Sequence, residues 1–241
     1  MNFVQPVLMF FEITHCLIMT FVHESVISKC MFFLVFEGLD GSGKSSLMKR
    51  LETCLVQNQK KLIMTREPGG TIVGDQLRNL ILEKSISPPT ARTELLMYQA
   101  SRAQHVDLVI RPALAEKKWV LCDRFSASSV AFQGGGRGIS IEQVEWLNSF
   151  STQNLIPDLT ILLDLSVEES QKRRQGRAQQ TGESEDRIES EAAAFHERVR
   201  NGFLTQAKNS EKNWLVLDAS KTPDELFEIL FIELKGRQWL S

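Results

Sequence analysis

From Phe32 onward, short apolar runs alternate with longer stretches whose apolar residues recur at helical spacing, the pattern of parallel strands covered by helices on both faces. Five runs predict strands at 32–36 (FFLVF), 61–65 (KLIMT), 119–122 (WVLC), 159–164 (LTILLD) and 214–218 (WLVLD). Helices are predicted over 44–57, 74–83, 91–117, 140–151, 167–174, 187–208 and 223–237. The fold class is therefore α/β, a five-stranded parallel sheet with right-handed crossovers. The stretch 175–186 (QGRAQQTGESED) holds no apolar residue except Ala178 and carries two glycines, which predicts a mobile loop, the core of a lid near 174–187.

Residues 1–30 break this pattern. Val7 to Phe11 and Cys16 to Val22 are apolar, but Glu12, His15 and His23 interrupt them and no basic segment precedes them, which argues against a signal peptide. No window reaches the roughly 18 consecutive apolar residues of a membrane span. Met31 stands immediately before the first strand, so residues 1–30 read as an upstream or peripheral extension of a single domain over 31–241.

Composition narrows the classes of function. Across 241 residues, 28 Lys and Arg face 30 Asp and Glu for a net charge of −2, so no global basic field points to nucleic acid and any anion site is local. The four cysteines, Cys16, Cys30, Cys54 and Cys122, lie far apart without a C-x-x-C pair, which favours neither disulfide nor zinc. Cys122, inside an apolar strand, reads as a small buried side chain.

One local pattern carries chemistry outright. Gly38-Leu39-Asp40-Gly41-Ser42-Gly43-Lys44-Ser45 fits G-x-x-x-x-G-K-[ST] and lies between a predicted strand and a predicted helix, with Ser46 following. Glycines let backbone N–H groups converge on phosphate oxygens, the helix N-terminus adds partial positive charge, and Lys44 can reach the β and γ phosphates. Ser45 is placed to hold Mg2+. A phosphate-binding loop specifies nucleotide binding but not a reaction.

Four further segments follow in order: Arg66-Glu67-Pro68-Gly69-Gly70-Thr71, Glu94-Leu95-Leu96-Met97-Tyr98, Asp123-Arg124-Phe125, and Ala131-Phe132-Gln133-Gly134 with Arg137-Gly138. With the loop they resemble thymidylate kinases of the bacterial type over residues 32 to about 235. The resemblance implies a cytoplasmic homodimer of P-loop kinase fold that moves the terminal phosphoryl group of ATP, with Mg2+, onto dTMP in dTTP synthesis. It places Asp40 near the deoxyribose 3′-hydroxyl and sets Arg66, Arg78 and Arg124 around the dTMP phosphate, where guanidinium forks match phosphate oxygens.

By the same resemblance Tyr98, where the family usually has phenylalanine, stacks on thymine, and Arg102, one turn later, bonds a base carbonyl. Ser129 and Gln133 complete the thymine edge, an amide being able to satisfy both the N3–H donor and a neighbouring acceptor. Phe132 departs from the family's usual tyrosine near the sugar C2′ and keeps its bulk. Asp123, ending a strand, is expected to bond magnesium-bound water. Where some family members carry a basic residue in the loop this chain has Gly41, so the missing charge is expected from Arg173, Arg174 and Arg177, with Arg177 first and Arg174 second.

The competing readings are another nucleotide or deoxynucleoside kinase, separated by its acceptor, and a P-loop switch. A guanine-nucleotide switch would need an N-K-x-D motif, and the chain contains no Asn-Lys pair.

Overall fold

The computed structural model describes residues 31–182 and 184–240, so the predicted extension over 1–30 lies outside the described residues. All five predicted strands are present: β1 (Phe33–Glu37), β2 (Leu62–Arg66), β3 (Trp119–Asp123), β4 (Leu159–Asp164) and β5 (Trp214–Asp218). They form one parallel sheet in the order β2-β3-β1-β4-β5. Central β1 is buried at every position, as a strand covered on both faces must be.

Strand alternation splits β1 between two cores. Leu34 and Phe36 pack with Leu47 and Leu51 of α1 (Lys44–Gln57) and with Leu230 and Leu234 of α9 (Pro223–Gly236). Phe33 and Val35 pack on the other face with Val106, Ile110 and Phe125. Cys122 is buried in that second cluster and is a free thiol, as is Cys54. Among the described residues no helix is long and apolar enough to cross a membrane.

Three helical expectations need correction. The stretch predicted as one helix over 91–117 divides into α3 (Ala91–His105), a π-helical turn at Val106–Ile110 and α4 (Arg111–Ala115). Pro112 is the physical reason: it lacks an N–H and its ring would strike a carbonyl one turn back, and a π turn just before it relieves both. The predicted loop 175–186 is instead largely helical, because α7 runs Val167–Thr181 and ends at Gly182 with φ 71°. Its Gln, Arg and Ala residues are good helix formers, Ser166 caps its start, and its final turns need no apolar face because they stand in solvent. Consequently α8 (Ala193–Asn209) begins later than the predicted 187.

The segment after β3 also folds, as α5 (Ser126–Ser129) and a π-helical turn at Val130–Gly136. Its glycine run hid it from sequence reasoning. Those glycines allow close approach: a Cβ on Gly136 would lie 2.5 Å from the Phe195 ring of α8. Among the described residues the remaining helical elements are α2 (Ile72–Leu82), α6 (Ile141–Thr152) and a 3-10 turn at Glu211–Asn213.

Candidate active site

The glycine-rich loop joins the carboxyl end of β1 to the start of α1, and Gly43 at the helix N-cap has φ 95°. Gly38 needs glycine for two reasons: its φ is 133°, and a Cβ there would lie 2.4 Å from the Leu163 carbonyl. Lys44 is 6% exposed and its Nζ donates to the carbonyls of Gly38 at 3.2 Å and Leu39 at 3.1 Å. Burial pushes its ammonium pKa down, helped by Arg124 and opposed by Asp123, Asp40 and Glu37.

Lys44, Ser45, Ser46, Gly41 and Gly43 line one cleft together with Asp123. The Asp123 Oδ1 is buried with no hydrogen-bond partner among the described residues. Arg173 and Arg177 of α7 line the same cleft: Arg173 reaches the Gly41 carbonyl at 3.4 Å, and Arg177 pairs with Glu189 at 2.5 Å. Arg174 turns inward to Glu185 at 3.2 Å and is 5% exposed. Gly41 is closed over by α7, a Cβ there falling 3.2 Å from that of Arg173.

A second cleft adjoins the first. Tyr98, Arg102, Arg124, Phe132 and Gln133 line it, and Asp40, Arg78 and Asp186 line both clefts. Arg78 comes from α2, which the end of the Arg66–Thr71 motif starts: the Thr71 hydroxyl caps α2 by accepting from the Gly74 N–H at 3.0 Å. Arg66 lies outside this cleft, exposed and 3.9 Å from Asp75. Ser129 stands behind the cleft wall, where its hydroxyl accepts from Arg102 at 2.9 Å.

Arg124 sits at φ 70°, a left-handed conformation that costs a residue with a Cβ roughly 1–2 kcal/mol. Glu37 compensates by accepting from the Phe125 N–H at 2.9 Å, the Ser128 N–H at 3.1 Å and the Ser128 hydroxyl at 2.6 Å. So held, the Arg124 guanidinium lies 5.0 Å above the Phe132 ring and bonds Asp40 at 2.8 Å. Burial would raise the Asp40 carboxyl, but Arg124 and Lys44 outweigh it and hold the group well below the usual carboxylate range. Burial also raises Tyr98, reinforced by Glu94.

Glu37 itself is fully buried, and burial pushes its pKa from the ordinary 4.5 to about 7 against the pull of Arg124 and Ser128. Between those values the folded state keeps a proton that the unfolded chain releases, so the stability from this group is complete below about 4.5 and fades as pH rises through about 7. Relative to Glu37→Gln, which cannot ionise, the wild-type Tm is therefore expected to decline between about pH 4.5 and 7 and to level off above that, worth at most about 3 kcal/mol. Parallel melting curves across that range test this. A Tm difference that does not change with pH refutes it.

The contacts of the buried acids beside these clefts are what sequence reasoning missed. Glu67 accepts from Arg102 Nε at 2.7 Å and contacts His105 Nδ1 at 2.9 Å, while His105 Nε2 meets the Thr65 hydroxyl at 2.6 Å. Glu94 accepts from Gln133, Arg137 and Arg187. Glu67 and Glu94 were visible as motif letters, but nothing in the local sequence says which cation each one holds.

The family model described as thymidylate kinase matches residues 36–229. Among curated relatives, thymidylate kinase of Bdellovibrio bacteriovorus is 61% identical over 210 residues, covering 87% of this chain and 98% of that protein. That of Geotalea daltonii is 45% identical over 195 residues, 80% of this chain and 91% of the relative. That of Finegoldia magna is 43% identical over 208 residues, 86% of this chain and all of the relative.

Proposed function

Because this chain belongs to the thymidylate kinase family and phosphorylates dTMP to dTDP, we propose that its donor is Mg-ATP on the glycine-rich loop and its acceptor site the adjoining cleft. The observation that carries this reading is that Asp40, Arg78 and Asp186 line both clefts, so the two ligands' phosphates would meet beside Arg78. Gly38 to Ser46 cradle the donor, and Arg78 and Arg124 hold the acceptor phosphate. Tyr98 packs on the base, with Arg102 and Gln133 at its edge and Phe132 below the sugar.

A phosphate monoester has a second pKa near 6, so the acceptor is already largely a dianion at neutral pH and needs no general base. Asp40, held ionised by Arg124, positions rather than abstracts. Lys44, with Arg173 and Arg177 from α7, neutralises charge on the transferred group, and closure of the lid excludes water. Ser45 and, through water, Asp123 fit magnesium, since the unpartnered Asp123 Oδ1 would accept from a metal-bound water. When bound, the metal would supply charge neutralisation at the phosphates.

Exposed Trp146 and Phe150, stacked on α6, with Leu96 on α3, support a homodimer through these helices. In this reading the enzyme is cytoplasmic, where both nucleotides are available.

ADP release with Mg-ATP and each of dTMP, dUMP, dCMP, dGMP, AMP and thymidine tests the assignment. Turnover is expected to be greatest with dTMP and to yield dTDP. Use of dUMP should be weaker by about 10–200-fold, the discrimination that one methyl group supplies in an apolar pocket. Efficient dUMP use with negligible dTMP use overturns it.

A further inference from the structure

Glu94 is the most heavily engaged carboxylate near the acceptor cleft, and the reaction as described gives it no task. It lies in the first turn of α3 and is completely buried. Its Oε1 accepts from Gln133 Nε2 at 2.8 Å and Arg137 Nε at 3.2 Å, and its Oε2 from Arg137 Nη2 at 3.0 Å and Arg187 Nη2 at 2.7 Å. Every group facing its two oxygens, two guanidiniums and one amide, is a donor, so here it only accepts. A side-chain amide facing such a group has no choice of orientation, since its NH2 must point at the carboxylate. Gln133 is 1% exposed and lines the cleft, so with its amino end fixed on Glu94 the amide offers a ligand its carbonyl Oε1, an acceptor, and only its second N–H for a neighbouring carbonyl.

We propose that Glu94 is a specificity-determining positioning residue: it locks the Gln133 amide so that the cleft presents a hydrogen-bond acceptor to the N3 edge of the base. An acceptor there matches the N3–H of a thymine or uracil ring. It opposes cytosine, whose N3 is itself an acceptor, leaving two lone pairs face to face in a buried site. Without Glu94 the amide could turn over and offer its NH2 to a cytosine ring. The inference rests on the reading of Gln133 as a base contact.

The test compares dTMP with 5-methyl-dCMP, which keeps the thymine methyl and differs only at N3 and C4. In Glu94→Gln the amide at 94 can donate as well as accept, so the orientation of Gln133 is released. The ratio of kcat/KM for dTMP over 5-methyl-dCMP is expected to fall about tenfold or more, chiefly through a higher KM for dTMP, while KM for ATP changes less than about twofold. Equal losses with both acceptors, or a lower Tm with the ratio intact, would mean that Glu94 only supports the fold and would overturn the proposal. If Glu94→Gln does not fold, Glu94→Asp keeps the charge for both arginines but draws back from Gln133, and the same ratio decides. Gln133→Leu separates the two ideas. If it leaves the ratio intact, the base-contact reading fails and the proposal with it, whereas a ratio lowered by Gln133→Leu but not by the Glu94 variants refutes the proposal alone.

Discussion

Lys44→Met is expected to lower kcat with dTMP by about 10²–10³-fold, the usual consequence of removing one fixed positive group from a charge-developing transition state. The folded scaffold should survive. Lys44 bonds only the two loop carbonyls of Gly38 and Leu39, and its nearest carboxylate, Asp40 at 3.8 Å, keeps Arg124 at 2.8 Å when the lysine is gone. Its ammonium also lies in the field of Arg124, so its removal relieves one repulsion. Steady-state turnover paired with a melting curve checks both halves. A kcat within tenfold of wild type would show that the charge comes from α7 instead, through Arg173 and Arg177.

Arg102→Met has the opposite balance, with stability affected first. Arg102 is 1% exposed and its guanidinium donates to Glu67, Gln99, Ser129, Asn148 and the Phe125 carbonyl. Removing it leaves Glu67, 3% exposed, charged with only His105 beside it. Breaking a buried pair from one side costs about 3–5 kcal/mol. For a chain of this size that is a Tm loss on the order of 10 °C. KM for dTMP should rise as well, because the same guanidinium lines the acceptor cleft. Adding Glu67→Gln should restore part of the lost Tm by removing the stranded charge. A Tm loss of no more than about 2 °C for the single variant would show that the network is not a unit.

These two residues differ in how far the sequence discloses them. Lys44 is legible because its role is local: a strand, a turn and a helix start lie consecutively in the chain, and the glycine spacing records the conformation that backbone N–H groups need around a phosphate. The strands are legible for a similar reason, since a run such as FLVFE must be covered on both faces wherever it goes. The identity of Arg102 is also legible, through the resemblance. What surrounds it is not.

The misread elements share a cause. Helix formation in the last turns of α7 rests on propensity and a glycine stop rather than on a buried stripe, so apolar periodicity has nothing to report there. The π-helical turn carrying Phe132 and Gln133 exists because α8 packs closely on its glycines, a partner that arrives from residues 193 to 209.

The sequence by itself determined the five strands along the chain, the glycine-rich loop that joins β1 to α1, and the identity of the residues that line the two clefts. Each of these depends on neighbours in the chain or on a requirement that any environment would impose. Tertiary structure alone decided which acid holds which cation: Glu37 with the Arg124 loop, Glu67 with Arg102, and Glu94 with an arginine 93 residues away. It likewise turned Arg174 inward while Arg173 and Arg177 face the loop. A buried charge is tolerable only when an opposite charge and enough hydrogen bonds reach it, and that condition is set by what the fold brings together across the sheet, a distance no local pattern records.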